Sequence, residues 1–105
     1  MMFQLGSALL DGCVLAVLAR GDAYGYSLTQ EIKAVISVSE STLYPVLRRL
    51  QKEGLLVTYD QAFNGRNRRY YRITAHGRAR LIEIVGEWGA YKDAVDSIFK
   101  GGEHA

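Results

Sequence analysis

A hairpin signal in mid-chain restricts the fold more than any other feature. Two stretches of strand-like composition, LLVTYDQ and NRRYYRIT, are separated by AFNGR. Asn64-Gly65 offers two consecutive residues that tolerate positive φ, as a two-residue turn between twisted antiparallel strands requires. The flanking segments instead repeat their apolar residues at spacings of three and four, the period of helices with one buried side. The chain therefore reads as an α+β fold that is mostly α, with one small sheet set among helices.

Leu10, Cys13, Val14, Val17 and Leu18 place a stripe on a first helix from about Ser7 to Arg20, which Gly21 closes. Leu28, Ile32 and Val35 mark a second helix from about Gly25 to Val35. Ser39 is a good N-cap for a third, whose inner side is Leu43, Val46, Leu47 and Leu50 and whose stop is Gly54. The single proline, Pro45, falls early in that helix, where its cost is softened. Thr74 caps a last long helix. There Leu81, Trp88 and Val95 repeat every seven residues, as do Ile84, Tyr91 and Ile98, the pattern of a two-helix seam. The seam either meets a second copy of the chain or folds back on the N-terminal helices. One compact unit is expected, with residues 1–74 as a winged helix-turn-helix and residues 75–105 as a C-terminal dimerisation helix.

Composition narrows the function classes. With 49% apolar and 23% charged residues the 105-residue chain can bury a core. No apolar run approaches the roughly 18 residues of a membrane span, and MMFQLGSALLDG lacks the basic start of a secretory signal. No membrane partner and a cytoplasmic location are expected. Cys13 is the lone cysteine and His76 and His104 are the only histidines, so no metal site and no cofactor are expected. A thiol within an apolar stripe reads as a small buried hydrophobe. No nucleophile with its base, phosphate loop or catalytic carboxylate pair is present, so the chain does not read as an enzyme and no catalytic residue is named.

Net charge is +2, but it is unevenly placed. Between positions 48 and 80, Arg48, Arg49, Lys52, Arg66, Arg68, Arg69, Arg72, Arg78 and Arg80 stand against Glu53 and Asp60 alone. The segments on either side are net acidic. A basic block inside a nearly neutral chain suits a polyanion, because cations that neutralise phosphates release condensed counterions. If it binds a duplex, the block is expected to form one surface.

Helix, helix, helix, hairpin, helix is the order of a winged helix-turn-helix, which lays its third helix in the major groove and its hairpin, or wing, on the backbone or minor groove. The exposed side of the third helix carries Ser41, Thr42, Tyr44, Arg48, Arg49 and Lys52. Arg48 suits a base or phosphate contact, and the amides near Ser41 and Thr42 suit a phosphate at a helix N-terminus. Arg49 and Lys52 fit phosphate contact and plain solvation equally. Thr42 and Tyr44 also fit packing against neighbouring helices, and Tyr24 and Tyr26 divide evenly between backbone contact and packing. Asn64, Gly65, Arg66, Asn67 and Arg68 make a basic wing tip with no core to serve. The competing reading is a winged-helix protein-interaction module that meets an acidic partner instead of DNA.

GDAYGYSLTQEI, STLYPVLRRLQKEGLL and GRNRRYYRITAHGR, in that order, closely resemble the PadR family of transcriptional regulators over roughly residues 9–80. The single helix after the wing resembles the smaller PadR subfamily. The resemblance implies a homodimeric, DNA-binding repressor whose first and last helices form the dimer interface. Each subunit would then meet one half-site of a pseudo-palindromic double-stranded operator. It also implies a planar aromatic small-molecule effector at Trp88. Read from spacing alone, Trp88 is equally a residue filling the seam.

Overall fold

The structure, a computed structural model, describes residues 5–101, with nothing described of the Leu5 side chain. His104 lies outside the described residues. The elements are α1 (Leu5–Ala19), β1 (Ala23–Tyr24), α2 (Gly25–Lys33), α3 (Glu40–Lys52), β2 (Leu56–Phe63), β3 (Arg66–Ile73) and α4 (Ala75–Lys100).

The caps behave as their chemistry requires. Ser39 precedes α3 in extended conformation and its hydroxyl accepts from the Thr42 amide, 3.3 Å away. Thr74 does the same for Gly77 at 3.0 Å and opens α4. At the other end of α3, Gly54 takes a φ of +77°, which lets the Leu55 amide reach back to the Leu50 carbonyl at 2.9 Å. Pro45 is the sixth residue of α3, past the turn whose amides lack partners. The Ser41 carbonyl thus has no amide donor four residues on, and both residues are exposed, where water replaces it. That differs from the softening expected from an early position.

Asn64 and Gly65 turn β2 into β3 with φ of 51° and 77°. The sheet has the order β1-β3-β2 and is antiparallel throughout. Leu56 lies opposite Ile73, Thr58 opposite Tyr71, Tyr59 opposite Tyr70 and Phe63 opposite Arg66. Because side chains alternate along a strand, one face holds Leu56, Tyr71 and Ile73, all buried, and closes over the helices. β1, two residues long, was not expected; it adds Tyr24 to the opposite face beside Tyr70.

The core gathers Val14, Leu15 and Leu18 of α1, Leu28 and Ile32 of α2, Leu43, Leu47 and Leu50 of α3, and the buried sheet face. α1 sits centrally, touching α2, α3, β3 and α4. Two close approaches need glycine. A Cβ on Gly12 would meet Ile84 Cγ2 at 2.7 Å, and one on Gly77 would lie 2.1 Å from the Leu55 carbonyl oxygen. The first lets α4 press against α1, and the second seats its first turn on the base of the hairpin.

α4 serves two environments. Ile84 is 3% exposed and belongs to the core of its own chain, with Leu81 packed against it. Beyond Tyr91 no residue of α4 is buried. The chain is consequently 63 Å long but only 26 by 21 Å across. No described helix is long and apolar enough to cross a membrane.

Candidate nucleic-acid interface

α3 turns two different sides to its surroundings because its apolar residues recur at Leu43, Leu47 and Leu50. Opposite them, Ser41, Thr42, Pro45, Arg48 and Lys52 are exposed. Ser39 Oγ lies 2.9 Å from Ser41 Oγ and 3.1 Å from Thr42 Oγ1, so three hydroxyls are tied together at the helix N-terminus, where the dipole favours an anion. α3 is held to α2 through Glu40, whose carboxylate accepts from Gln30 at 3.0 Å and Lys33 at 3.3 Å. Tyr44 is half-buried against the core.

Arg49 does not share the exposed side with Arg48. Its guanidinium reaches back to α1 and donates to the carboxylate of Asp11, which is buried, and it also lies 3.5 Å from Glu53. The Asp11 carboxylate holds the Arg49 pKa above its ordinary value. Free solvation does not describe this residue, which ties α3 to α1. The reason is long-range: Asp11 and Arg49 are 38 residues apart and meet only through packing.

In the wing the basic block divides by strand parity, and the expected single surface is corrected. Asn67 and Arg69 share a face with Tyr71, while Arg66, Arg68 and Arg72 lie on the other. On the inner side Tyr71 brings the elements together. Burial raises the pKa of its phenol above the usual range, the guanidiniums of Arg69 and Arg48 oppose that, and the neighbouring Tyr44 adds to it. Arg69 also pairs with Asp60 at 3.5 Å.

On the outer face Arg68 lies between two rings, 4.5 Å from the centroid of Tyr24 and 4.4 Å from that of Phe63. Tyr70 stacks on Tyr59 at 5.6 Å and lies 6.0 Å from Tyr24. At the base of the hairpin the Tyr59 hydroxyl donates to Asp22 at 2.7 Å and Arg72 Nε donates to the same oxygen at 3.1 Å. The Tyr59 hydrogen bond is the chief reason the Asp22 carboxyl is held below its ordinary value. Tyr24 is therefore packed in this ladder, and Asn64 and Gly65 form the exposed turn beyond it.

A second feature lies away from this surface. α1 and α4 leave a groove of about 220 Å³ lined by Leu9, Gly12, Cys13, Ala16, Leu81, Ile84, Val85 and Trp88. Trp88 is 36% exposed on its rim, and its ring lies 6.3 Å from that of Tyr91. Burial holds the Cys13 thiol above its usual pKa, so it is protonated at neutral pH.

Residues 14–83 match the Transcriptional regulator PadR-like family. The chain belongs to that family. It is 45% identical over 71 residues to Transcriptional regulator Rv3488 of Mycobacterium tuberculosis, covering 67% of this chain and 66% of the relative. Among solved structures it is similar to smu.1704 from Streptococcus mutans, with 40% identity, a TM-score of 0.85 and coverage of 96% and 95% of the two chains. It is also similar to the PadR-like transcriptional regulator BC4206 from Bacillus cereus, with 33% identity, a TM-score of 0.82 and coverage of 94% and 99%. The chain is thus a winged-helix transcriptional regulator of the DNA-binding PadR type and not an enzyme.

Within this PadR protein, the helix–wing junction gathers Ser41, Thr42, Tyr44 and Arg48, with Lys52 exposed at the far end of α3. Arg69 was missed by sequence reasoning although its parity with Tyr71 and Ile73 was available. On α4, the stripe of Leu81, Ile84, Trp88, Tyr91, Val95 and Ile98 splits. Ile84 has almost no surface left to offer a partner, while Tyr91 and Val95 are half-buried and Ile98 is 74% exposed. Ile82, Val85 and Phe99, the last 81% exposed, were overlooked because they fall outside the seven-residue repeat.

Proposed function

We propose that this PadR regulator acts as a homodimeric repressor that sets α3 of each subunit in one half-site of a pseudo-palindromic duplex, with the wing on the adjoining backbone. The observation that carries the reading is that α3 leaves Ser41, Thr42, Arg48 and Lys52 exposed while the wing leaves Asn64, Gly65, Arg66, Asn67 and Arg69 exposed. Ser41, Thr42 and Tyr44 surround the helix start, Lys52 extends the contact, and Asn64 to Arg68 reach the backbone at the tip. Two such surfaces would meet half-sites about 34 Å apart if they are one helical turn apart.

Dimerisation is supported by apolar surface that α4 leaves exposed, Val85, Trp88, Ile98 and Phe99, on a 26-residue helix in which no residue beyond Tyr91 is buried. Leu81, Tyr91 and Val95 border the same face. The α1–α4 groove would receive a planar aromatic effector against Trp88, since tryptophan stacks on flat ligands and the walls are apolar. Occupation of this groove would release the protein from DNA by moving α1, which Asp11 and Arg49 join to α3.

Selection of duplexes from a random-sequence pool by the purified protein tests the reading. An enriched inverted repeat is the expected outcome. Enrichment of nothing, with a dimer in solution, would replace it with a protein-interaction role.

A further inference from the structure

At the base of the hairpin, away from the Asn64-Gly65 tip, the outer face of the sheet carries an ordered aromatic row that neither the core nor α3 uses. Tyr26, Tyr24, Tyr70 and Tyr59 cross α2, β1, β3 and β2 in that order, with successive ring centroids 6.4, 6.0 and 5.6 Å apart. Val57 lies opposite Arg72 on the same face, and the Arg72 guanidinium carbon is 4.8 Å from the centroid of Tyr59. Tyr26 is 55% exposed and Val57 43%. Apolar surface grouped in this way calls for a partner.

The chemistry of the row narrows what that partner is. A nucleic-acid base stacks on an open ring face. Tyr59 and Tyr70 stack on each other, 14° from parallel, which turns those faces toward one another instead. The acidic group beside the row, Asp22, already accepts from the Tyr59 hydroxyl at 2.7 Å and from Arg72 Nε at 3.1 Å. Arg72 spends only its Nε there. Its terminal nitrogens, and the hydroxyls of Tyr24, Tyr26 and Tyr70, have no hydrogen-bond partner among the described residues. The patch therefore offers N–H and O–H donors among apolar surface, and its complement brings carboxylates with apolar side chains. Tyrosine and arginine are also the residues on which protein–protein affinity concentrates, and rings already packed on one another lose less freedom on binding.

We propose that Tyr24, Tyr26, Val57, Tyr59, Tyr70 and Arg72 form a docking surface for an acidic segment of another protein, separate from α3 and the wing tip. Carboxylates of the segment meet the terminal donors of Arg72, and its apolar side chains cover Val57 and Tyr26. A phosphodiester strand would satisfy the donors but leave that apolar surface wet, whereas a protein segment removes it from water. The assignment does not depend on how the chain holds a duplex.

The test pans a phage library of short random peptides on the immobilised full chain. A labelled synthetic copy of each enriched peptide is then titrated by fluorescence anisotropy against wild type, Arg72→Gln, Tyr26→Ala and Lys52→Gln, each checked by thermal unfolding. Enriched peptides should be acidic and carry aromatic or aliphatic residues. Arg72→Gln and Tyr26→Ala should each weaken them by about tenfold, while Lys52→Gln, on the exposed side of α3, should not. Tyr26 takes part in no ion pair among the described residues, so its variant keeps the test decisive if loss of the Asp22 pair unfolds Arg72→Gln. No enrichment, enriched peptides without acidic residues, or acidic peptides held equally by wild type and Tyr26→Ala overturn the inference. Binding of a labelled oligothymidylate that is lost in Tyr26→Ala also overturns it, in favour of a single-strand platform. None of these results bears on duplex binding through α3.

Discussion

Arg48 and Arg49 are adjacent in sequence and differ in what they touch, so alanine at each position separates two kinds of loss. Arg49→Ala leaves the buried Asp11 carboxylate without its guanidinium. Breaking a fully buried pair by removing one partner costs about 3–5 kcal/mol. The Arg49 side chain is 41% exposed, so solvent reaches the site and about 1–3 kcal/mol is the appropriate figure. For a domain of this size each kcal/mol lowers Tm by roughly 4–8 °C, giving a fall of about 4–24 °C. Arg48→Ala removes an exposed residue with no packing duty and should leave Tm within about 2 °C while weakening duplex binding. The assay is thermal unfolding at fixed protein concentration, paired with duplex titration at several salt concentrations. Adding Asp11→Ala to Arg49→Ala should recover part of the lost stability, since the stranded charge is gone. An Arg49→Ala protein as stable as wild type, with a reduced salt slope, would refute the assignment and return Arg49 to the DNA surface.

Gly77→Ala should destabilise by about 2 kcal/mol despite alanine's higher helix propensity, because its Cβ meets a Leu55 carbonyl fixed by the Thr74 amide. Unchanged denaturant unfolding would contradict that contact. Tyr59→Phe removes the main cause of the lowered Asp22 pKa. A carboxyl lowered on folding contributes stability above its unfolded value, near 3.8, and loses it as pH falls through the folded value. The Tm of wild type should therefore exceed that of Tyr59→Phe at neutral pH and converge with it in acid; a gap that widens on acidification would contradict the assignment. Native Cys13 should alkylate far more slowly at pH 7 than in denaturant, and equal rates would show that the thiol is not held protonated within the groove.

Local chemistry was readable where a residue acts on its immediate neighbours. Ser39, Thr74 and Asn64-Gly65 mark their caps and turn because each effect is confined to a few residues. The order of elements and the exposed face of α3 follow from apolar spacing. What could not be read depends on distant partners. β1 is two residues long and exists only because β3 is there to pair with it. Arg49 looks like any exposed arginine until Asp11 is brought against it. Ile84 and Ile98 occupy equivalent places in the seven-residue repeat, but Gly12 lets only Ile84 enter the core. The wing is a different case: strand parity already separated Arg68 from Arg69, and reading the charge as a block concealed it.

The most direct test of the account is the salt dependence of duplex binding by the wild-type protein, measured with its stoichiometry. Two chains per duplex, with log affinity falling linearly in log salt at a slope equivalent to several neutralised phosphates, is the predicted result. A flat salt response, or one chain per duplex, would contradict it.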